Sequence, residues 1–158
     1  MSFTTCDLYD EHGDAARVLG WSFRDFGGRT RFAGEVETVK CFEDNSRIKE
    51  LASTPGRGRV LVVDGGGSRH AALLGDMIAT QAIASGWAGF VIYGSVRDSA
   101  VLKTLDIGIK ALRTTPRKSI RLGEGQVGVP LAIAGVEVRP GDRLYADEDG
   151  ILLLAAPK

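Results

Sequence analysis

Two uninterrupted apolar segments constrain the fold of this chain more than any other feature. One lies within RVLVVDGGG, residues 59–67, and the other is GFVIYG, residues 89–94. Continuous apolar runs of this length are typical of strands buried on both faces, as in a parallel sheet. The segment between them has a helical pattern, so the middle of the chain is predicted to be α/β.

The helical segment covers residues 68–86, and Gly86 is its candidate C-cap. Its apolar positions follow a helical period: Leu74, Met77, Ile78, Ala82 and Ile83. A Gly-Asp pair at residues 75 and 76 is a poor helix interior but a good helix beginning. A helix that begins near Gly75 therefore remains an alternative.

Shorter elements are expected on both sides of this unit. Helices are predicted over residues 4–13, with Thr4 or Thr5 as N-cap, over 44–53, with Asp44 or Asn45 as N-cap, and over 98–106. Strands are predicted over residues 32–42 and 107–115, and valine-rich strands joined by turns over 126–154. No linker separates these parts, so we expect one domain over residues 1–158.

Composition excludes several classes of function. Lysine plus arginine balance aspartate plus glutamate at 20 each, and no run of eighteen apolar residues occurs. Neither direct nucleic-acid binding nor a membrane span is expected. The N-terminus lacks the pattern of a secretory signal, and Cys6 and Cys41 show no metal-site spacing. A cytoplasmic protein with two free thiols is the simplest interpretation.

A local basic cluster is interpreted as a solvated face. It consists of Arg113, Arg117, Lys118 and Arg121.

The glycines after the first apolar run do not fit a dinucleotide site. Gly65 and Gly67 supply G-x-G, but His70 stands where glycine or alanine is needed, and no acid ends the next strand. Anion binding by the amides of this turn remains open. Neither His12 nor His70 belongs to a hydrolase motif, and soft zinc ligands are missing. The remaining candidate metal ligands are carboxylates, which favour a hard cation such as Mg²⁺ or Mn²⁺.

Two charged pairs flank the helix–turn–strand unit. Gly75–Asp76 stands at one end, and Arg97–Asp98 directly follows the second apolar strand. Amides at a helix start could hold a carboxylate, Arg97 could clamp it, and Asp98 could hold a metal. A surface salt bridge of Arg97 with Asp76 or Asp98 is an equal alternative at this point.

The chain resembles the RraA-like family over nearly its whole length. The motifs that carry the resemblance are GDxxAxxA from residue 75, GWAGFVIYGSVRD, DIGIKAL, TPRKS and PGDxLYADEDG. The family includes class II 4-hydroxy-4-methyl-2-oxoglutarate aldolases and "regulator of ribonuclease E activity A" proteins. The resemblance implies a β/β/α three-layer sandwich of the swivelling, phosphohistidine-domain-like type. It also implies a homo-oligomer, a trimer or a dimer of trimers, with active sites at subunit clefts.

The family's functional positions transfer onto the charged pairs. The substrate-holding segment falls on Gly75, Asp76, Met77 and Ile78, the substrate-binding arginine on Arg97, and the metal-binding aspartate on Asp98. Asp76 and Arg97 would be the catalytic residues and Mg²⁺ or Mn²⁺ the cofactor. Metal-dependent cleavage of a small 2-oxo acid to pyruvate is the predicted activity, with oxaloacetate decarboxylation through the same pyruvate enolate.

Two departures from the family pattern keep another function open. Catalytic relatives often carry an acid where this chain has Val101, and longer aldolases supply a carboxylate from a C-terminal extension. The alternative is a non-catalytic regulator that binds and inhibits ribonuclease E. Some members are labelled menaquinone methyltransferases, but the glycine spacing after Asp64 argues against that activity.

Overall fold

The computed structural model describes residues 2–20 and 22–158. The helices are α1 (Thr5–His12), α2 (Ser46–Ala52), α3 (Asp76–Ala84) and α4 (Ser99–Leu102), with a 3-10 turn at Gly13–Ala15. The first six strands are β1 (Arg17–Val18), β2 (Arg24–Asp25), β3 (Phe32–Lys40), β4 (Val60–Asp64), β5 (Ala72–Leu74) and β6 (Gly89–Val96). The other strands are β7 (Gly108–Thr114), β8 (Gln126–Val127), β9 (Leu131–Ile133), β10 (Val136–Val138), β11 (Arg143–Asp147) and β12 (Gly150–Leu154).

A parallel sheet forms the middle of the molecule. Strands β3, β4, β6 and β7 are neighbours in that order, and all three pairings are parallel. Strand β2 adds to β7 and strand β8 to β3, both antiparallel. The two apolar runs of the sequence are β4 and β6, which confirms the predicted α/β unit.

Strand β3 belongs to two sheets at once. Residues 32–35 pair antiparallel with β11, whereas residues 36–40 pair parallel with β4. From β11 the second sheet continues through β12 to β1, and β9 and β10 form a separate hairpin. The C-terminal part is therefore all-β, as predicted.

Alternation along β4 shows that the parallel sheet is the central layer. Leu61 and Val63 pack with the buried residues of the helices, while Val60 and Val62 pack with those of β9–β12. Both faces are buried because successive strand residues point to opposite sides. The fold is a three-layer β/β/α sandwich, as the family resemblance implies.

Two glycines make room for an aromatic ring against the central sheet. A Cβ atom at Gly89 or Gly108 would overlap the ring of Phe32, which is buried in the layer between the two sheets. Glycine at both positions is therefore a packing requirement.

The helix termini follow the predicted capping residues. Thr4 is the N-cap of α1, and its side chain accepts a hydrogen bond from Asp7 N at 3.0 Å. Asn45 occupies the N-cap position of α2 without a capping side-chain bond, while Asp44 accepts from Ser46 N at 2.8 Å.

The prediction that Leu74 lies on a helix is wrong. Residues 72–74 form β5, which pairs parallel with the end of β6, and α3 begins only at Asp76. Pairing with the end of β6 overrides the local helical period. Gly75 is the N-cap of α3, which agrees with the alternative of a helix that begins near Gly75. Within the described ranges, no helix is both long and apolar enough to cross a membrane.

Candidate active site

Two neighbouring parallel strands end at one edge of the sheet and bring the charged pairs together. In β5 and β6, Leu74 lies opposite Val96, and Arg97 N donates to Leu74 O at 2.9 Å. Gly75–Asp76 follows the first strand and Arg97–Asp98 the second. The two motifs that the sequence singled out therefore form one corner of the molecule.

Asp98 caps helix α3 from across this corner. Asp76 N donates to Asp98 Oδ2 at 3.1 Å, while the N-cap residue Gly75 has no side chain to do so. Asp98 itself adopts a left-handed conformation, with φ 59° and ψ 38°. Aspartate tolerates that region better than most residues. In this conformation, at the turn into α4, its carboxylate is directed toward α3.

Gly75 is required by this close approach. A Cβ atom at this position would lie 2.7 Å from Asp98 Oδ2. Its φ of −134° is open to any residue, so the requirement is steric rather than conformational.

The start of α3 retains donors for an anion. Its first intrahelical bond runs from Ala79 N to Gly75 O at 3.1 Å, so the helix offers no acceptor to the amides of Met77 and Ile78. The Asp76 amide is occupied by Asp98. The side chain of Met77 is 83% exposed at this corner, and that of Ile78 is buried in the core.

Arg97 faces the same corner without an ionic partner. Its Nη1 donates to Pro116 O at a long 3.4 Å, and no ion pair with Asp76 or Asp98 occurs in the described part of the chain. The alternative of a surface salt bridge is therefore wrong. The guanidinium remains available to a ligand.

The corner opens into a cleft of about 630 Å³. Besides the predicted site residues, it is lined by side chains from α2 and from the segment after β7, which sequence analysis missed. The polar members of this group are Asn45, Lys49, Ser53, Lys118, Ser119 and Arg121. Lys118 and Arg121 could have been identified from the basic cluster, because both follow β7, the strand next to β6 in the sheet.

The cleft carries an excess of positive charge. Among the described residues, four cationic side chains and two carboxylates line it. The cations are Lys49, Arg97, Lys118 and Arg121, and the carboxylates are Asp76 and Asp98. Such a balance favours small ligands that carry more than one negative charge.

The segment after β7 is attached to β5 by its backbone. Ala72 N donates to Arg117 O at 2.7 Å, and the buried Ser119 hydroxyl donates to Ala72 O at 2.8 Å. The wall of the cleft opposite α3 is therefore tied to the strand that leads into α3.

Asp44 holds the next part of this segment. Its carboxylate accepts from the Ser46 amide and hydroxyl, from Leu122 N at 2.8 Å and from Glu124 N at 3.2 Å. Burial raises the pKa of Asp44, but these hydrogen bonds outweigh burial and lower it to about 2. The carboxylate therefore stays ionised and anchors the loop.

The donor set fits a hard cation that keeps several waters. Asp98 Oδ2 accepts a hydrogen bond from the Asp76 amide, while none of the described residues forms a hydrogen bond to Oδ1. Residues 2–20 and 22–158 contain no group of three or more histidine, cysteine or acidic side chains that could hold a metal. This part of the chain therefore has no metal site made entirely of protein ligands. Mg²⁺ does not need one, because it typically uses one or two carboxylates together with substrate oxygens.

The glycine turn after β4 has no amide to spare for an anion. Gly65 N and Gly67 N donate to Tyr93 O, Gly66 N donates to Asp64 Oδ1, and Ser68 N donates to Gly65 O. The idea that this turn binds an anion is therefore wrong. Its amides stabilise the turn itself.

Both cysteines are free, as predicted, and neither lines the cleft. Cys41 is buried, and its burial, followed by the nearby charge of Asp44, raises the pKa of its thiol to about 12. A thiol in this state is a poor nucleophile.

Comparison with known proteins gives a consistent relationship. Residues 5–153 match the RraA-like family, described as Aldolase/RraA. A protein of Alkalilimnicola ehrlichii, named provisionally as a 4-hydroxy-4-methyl-2-oxoglutarate aldolase, is 56% identical over 97% of this chain and 95% of its own.

Two solved structures superpose closely on the whole fold. The RNA-processing inhibitor RraA from Thermus thermophilis has a TM-score of 0.96 at 49% identity, covering 100% of this chain and 96% of that one. A structure described as an S-adenosylmethionine:2-dimethylmenaquinone methyltransferase, from Geobacillus kaustophilus, has a TM-score of 0.96 at 42% identity, covering 98% and 96%. Family match, identity and fold agree, and this chain belongs to the RraA-like family.

Proposed function

We propose that this protein is a divalent-metal-dependent lyase that cleaves small 2-oxo acids to pyruvate. The observation that supports it most strongly is the pairing of β5 with β6, which places Arg97 and Asp98 beside the start of α3 in a cationic cleft. The names of similar proteins support an aldolase, and 4-hydroxy-4-methyl-2-oxoglutarate is the substrate to test first.

The residues of the corner suit recognition of a 2-oxo acid. The amides of Met77 and Ile78 and the guanidinium of Arg97 would bind the carboxylate next to the oxo group. Asp98 would hold Mg²⁺ or Mn²⁺, which when bound acts as a Lewis acid toward the charge that develops on the oxo oxygen.

Proton transfer falls to Asp76. Its half-buried carboxylate lines the cleft and could accept, through one water, the proton of the 4-hydroxyl group. The bond between C3 and C4 then breaks, its electron pair enters the pyruvate enolate, and a proton returns to C3. In oxaloacetate the bond to the C4 carboxylate breaks instead, carbon dioxide leaves, and the same enolate takes up a proton at C3. Arg97 would stabilise the enolate oxygen in both reactions.

The test is pyruvate release by purified protein. Both substrates are supplied with Mg²⁺ or Mn²⁺ and, separately, with a chelator. Parallel samples without protein are needed because free Mn²⁺ itself decarboxylates oxaloacetate. The proposal would be contradicted if the protein gave no metal-dependent pyruvate release above that of the protein-free samples.

A second candidate function is inhibition of ribonuclease E. It is favoured by the 49% identical structure described as an RNA-processing inhibitor, and by Val101, which leaves the turn after Asp98 without a second acid. Capture of the endonuclease by immobilised protein, together with loss of its RNA cleavage, would support this role. The lyase assay on the same preparation shows whether the two functions coexist.

Assembly into a trimer or a dimer of trimers is part of the proposal. Met77 and Ile120 line the cleft and are strongly exposed apolar residues, as is Leu122 in the same loop as Ile120. A molar mass of the purified protein from light scattering tests this, and a monomer at working concentrations would contradict it.

A further inference from the structure

Arg121 is the most restrained of the cations that sequence analysis did not assign to the site. Its Nε donates to Asn45 Oδ1 at 3.0 Å, and its side chain lines the cleft. No hydrogen bond is formed by its two terminal nitrogens within the described residues. The Nε side of the guanidinium is therefore held by Asn45, while its two terminal nitrogens can bind a ligand.

Asn45 connects this arginine to the strand that leads into the site. It is buried, and its Nδ2 donates to Leu73 O at 3.2 Å, two residues before Gly75. An amide that both accepts from Arg121 and donates to β5 sets the position of the guanidinium relative to the start of α3.

The backbone that carries Arg121 is also held on both sides. Before it, the Ser119 hydroxyl binds Ala72 O, and after it Asp44 binds the amides of Leu122 and Glu124. The loop is therefore organised before a ligand arrives, which lowers the entropic cost of binding.

We propose that Arg121 binds the second carboxylate of the substrate, so that the site selects 2-oxo diacids over 2-oxo monoacids. This inference rests on the proposed function, which assigns the first carboxylate to Arg97 and the start of α3. Arg97 and Arg121 line the same cleft, so one is available for each carboxylate of a diacid, and a planar guanidinium can donate two hydrogen bonds to one carboxylate.

Arg121 is a better candidate than the lysines of the same cleft. Lys49, Lys118 and Arg121 are all exposed, but among residues 2–20 and 22–158 neither lysine side chain forms a hydrogen bond or an ion pair, whereas Arg121 is bonded to Asn45. A flexible ammonium contributes charge but little geometric selection.

The first experiment compares turnover of a matched pair of substrates. 4-Hydroxy-2-oxoglutarate and 4-hydroxy-2-oxopentanoate differ only in a carboxylate or a methyl group on C4. Arg121→Gln should lower kcat/KM for the diacid by roughly 10- to 100-fold, as expected when a carboxylate loses its charged hydrogen-bond donor, and leave kcat/KM for the monoacid nearly unchanged. Arg117→Gln is the matched control, because this exposed neighbour does not line the cleft.

The second experiment measures binding without turnover. Calorimetry compares 2-oxoglutarate with 2-oxopentanoate, which lack the 4-hydroxyl group needed for cleavage. The wild-type protein should bind the diacid more tightly, and Arg121→Gln should remove that preference. If the protein prefers the diacid in this binding experiment but releases no pyruvate in the lyase assay, the proposed lyase function is refuted and the role of Arg121 is supported. Equal binding of both acids, or equal losses for both in Arg121→Gln, would overturn the role of Arg121.

Asn45 is a positioning residue, and its effect should be distinguishable from a loss of fold. Asn45→Ala should reduce the ratio of diacid to monoacid kcat/KM mainly through KM for the diacid. If both substrates lose activity equally, Asn45 supports the structure only, and its positioning role is overturned.

Discussion

The carboxylate of Asp98 accepts a hydrogen bond from the backbone amide of Asp76 at 3.1 Å, joining residues 22 positions apart. One oxygen of the proposed metal ligand thus also caps the helix that is proposed to bind the substrate. In the proposed site, the position of the cation and the position of the substrate carboxylate are therefore coupled through this hydrogen bond. A ligand that is itself hydrogen-bonded is more precisely oriented than a free one.

Asp98→Asn separates the two roles of this side chain. Asparagine keeps an oxygen that can cap α3 but loses the charge that holds a cation. We expect metal-dependent pyruvate release to fall by more than about 100-fold, since even outer-shell partners of a metal contribute roughly 10- to 100-fold. The free energy of unfolding should fall by only about 0.5–1 kcal/mol, the usual effect of one charge at a helix N-terminus. Undiminished turnover in this variant would refute the assignment of Asp98.

Arg97→Lys tests whether the geometry of the guanidinium matters as well as its charge. Lysine keeps the positive charge but cannot form two parallel hydrogen bonds to a carboxylate. We expect kcat/KM to decrease by roughly 10- to 100-fold. Arg69→Lys makes the same change at an exposed arginine outside the cleft and should be silent in the same assay.

Gly75→Ala should damage the site more than the fold. The added methyl group would lie 2.7 Å from Asp98 Oδ2, and a shift of that carboxylate away from the methyl group would disturb its hydrogen bond with the Asp76 amide. We expect roughly 1 kcal/mol of lost stability, about one hydrogen bond, but at least about a 10-fold loss of affinity for Mn²⁺. Gly20→Ala is the control, because a methyl group there would meet Val18 Cγ1 at an ordinary 3.5 Å. Equal Mn²⁺ affinity in Gly75→Ala and wild-type protein would show that Asp98 is not displaced.

Which parts of the fold the sequence predicts depends on how local their causes are. The strand over residues 60–64 is predictable because its own apolar run requires burial on both faces. The strand over residues 72–74 is not, because its residues also fit a helical repeat and only pairing with β6 decides between the two. Tertiary hydrogen bonds outweighed local periodicity there.

The site divides in the same way. Arg97 and Asp98 are predictable because they follow the apolar strand β6, and side chains at the ends of parallel strands meet at one edge. Gly75 and Asp76 are predictable only from the Gly-Asp pair and the family motif, because the strand before them is not predicted. Asn45 and Arg121 are 76 positions apart, and nothing in the local sequence of either one indicates the 3.0 Å bond that joins them. Their contribution to the cleft emerges only when α2 and the loop after β7 meet beside β5.

Asp44 gives the protein a specific acid sensitivity. Its pKa is about 2 in the folded state against an ordinary value of 3.8, because three backbone amides and one hydroxyl favour the ionised form despite burial. A lowered pKa stabilises the fold above the unfolded value, so this contribution is complete above about pH 4 and is lost as the pH falls toward 2. Urea unfolding at several pH values between 2 and 6 should show a decrease over that window. In Asp44→Asn this part of the decrease should be absent.

The same variant connects stability to the loop that carries Arg121. Replacing the Asp44 carboxylate with a neutral amide removes the charged acceptor of the Leu122 and Glu124 amides, and we expect a loss of roughly 2–3 kcal/mol at neutral pH. Asp106→Asn is the contrasting control, since that carboxylate forms an exposed ion pair with Arg29 and should contribute much less to stability. If Asp106→Asn costs as much as Asp44→Asn, general charge balance rather than loop anchoring explains the effect. Because the loop positions the guanidinium, Asp44→Asn should also lower the preference for 2-oxoglutarate over 2-oxopentanoate in the calorimeter.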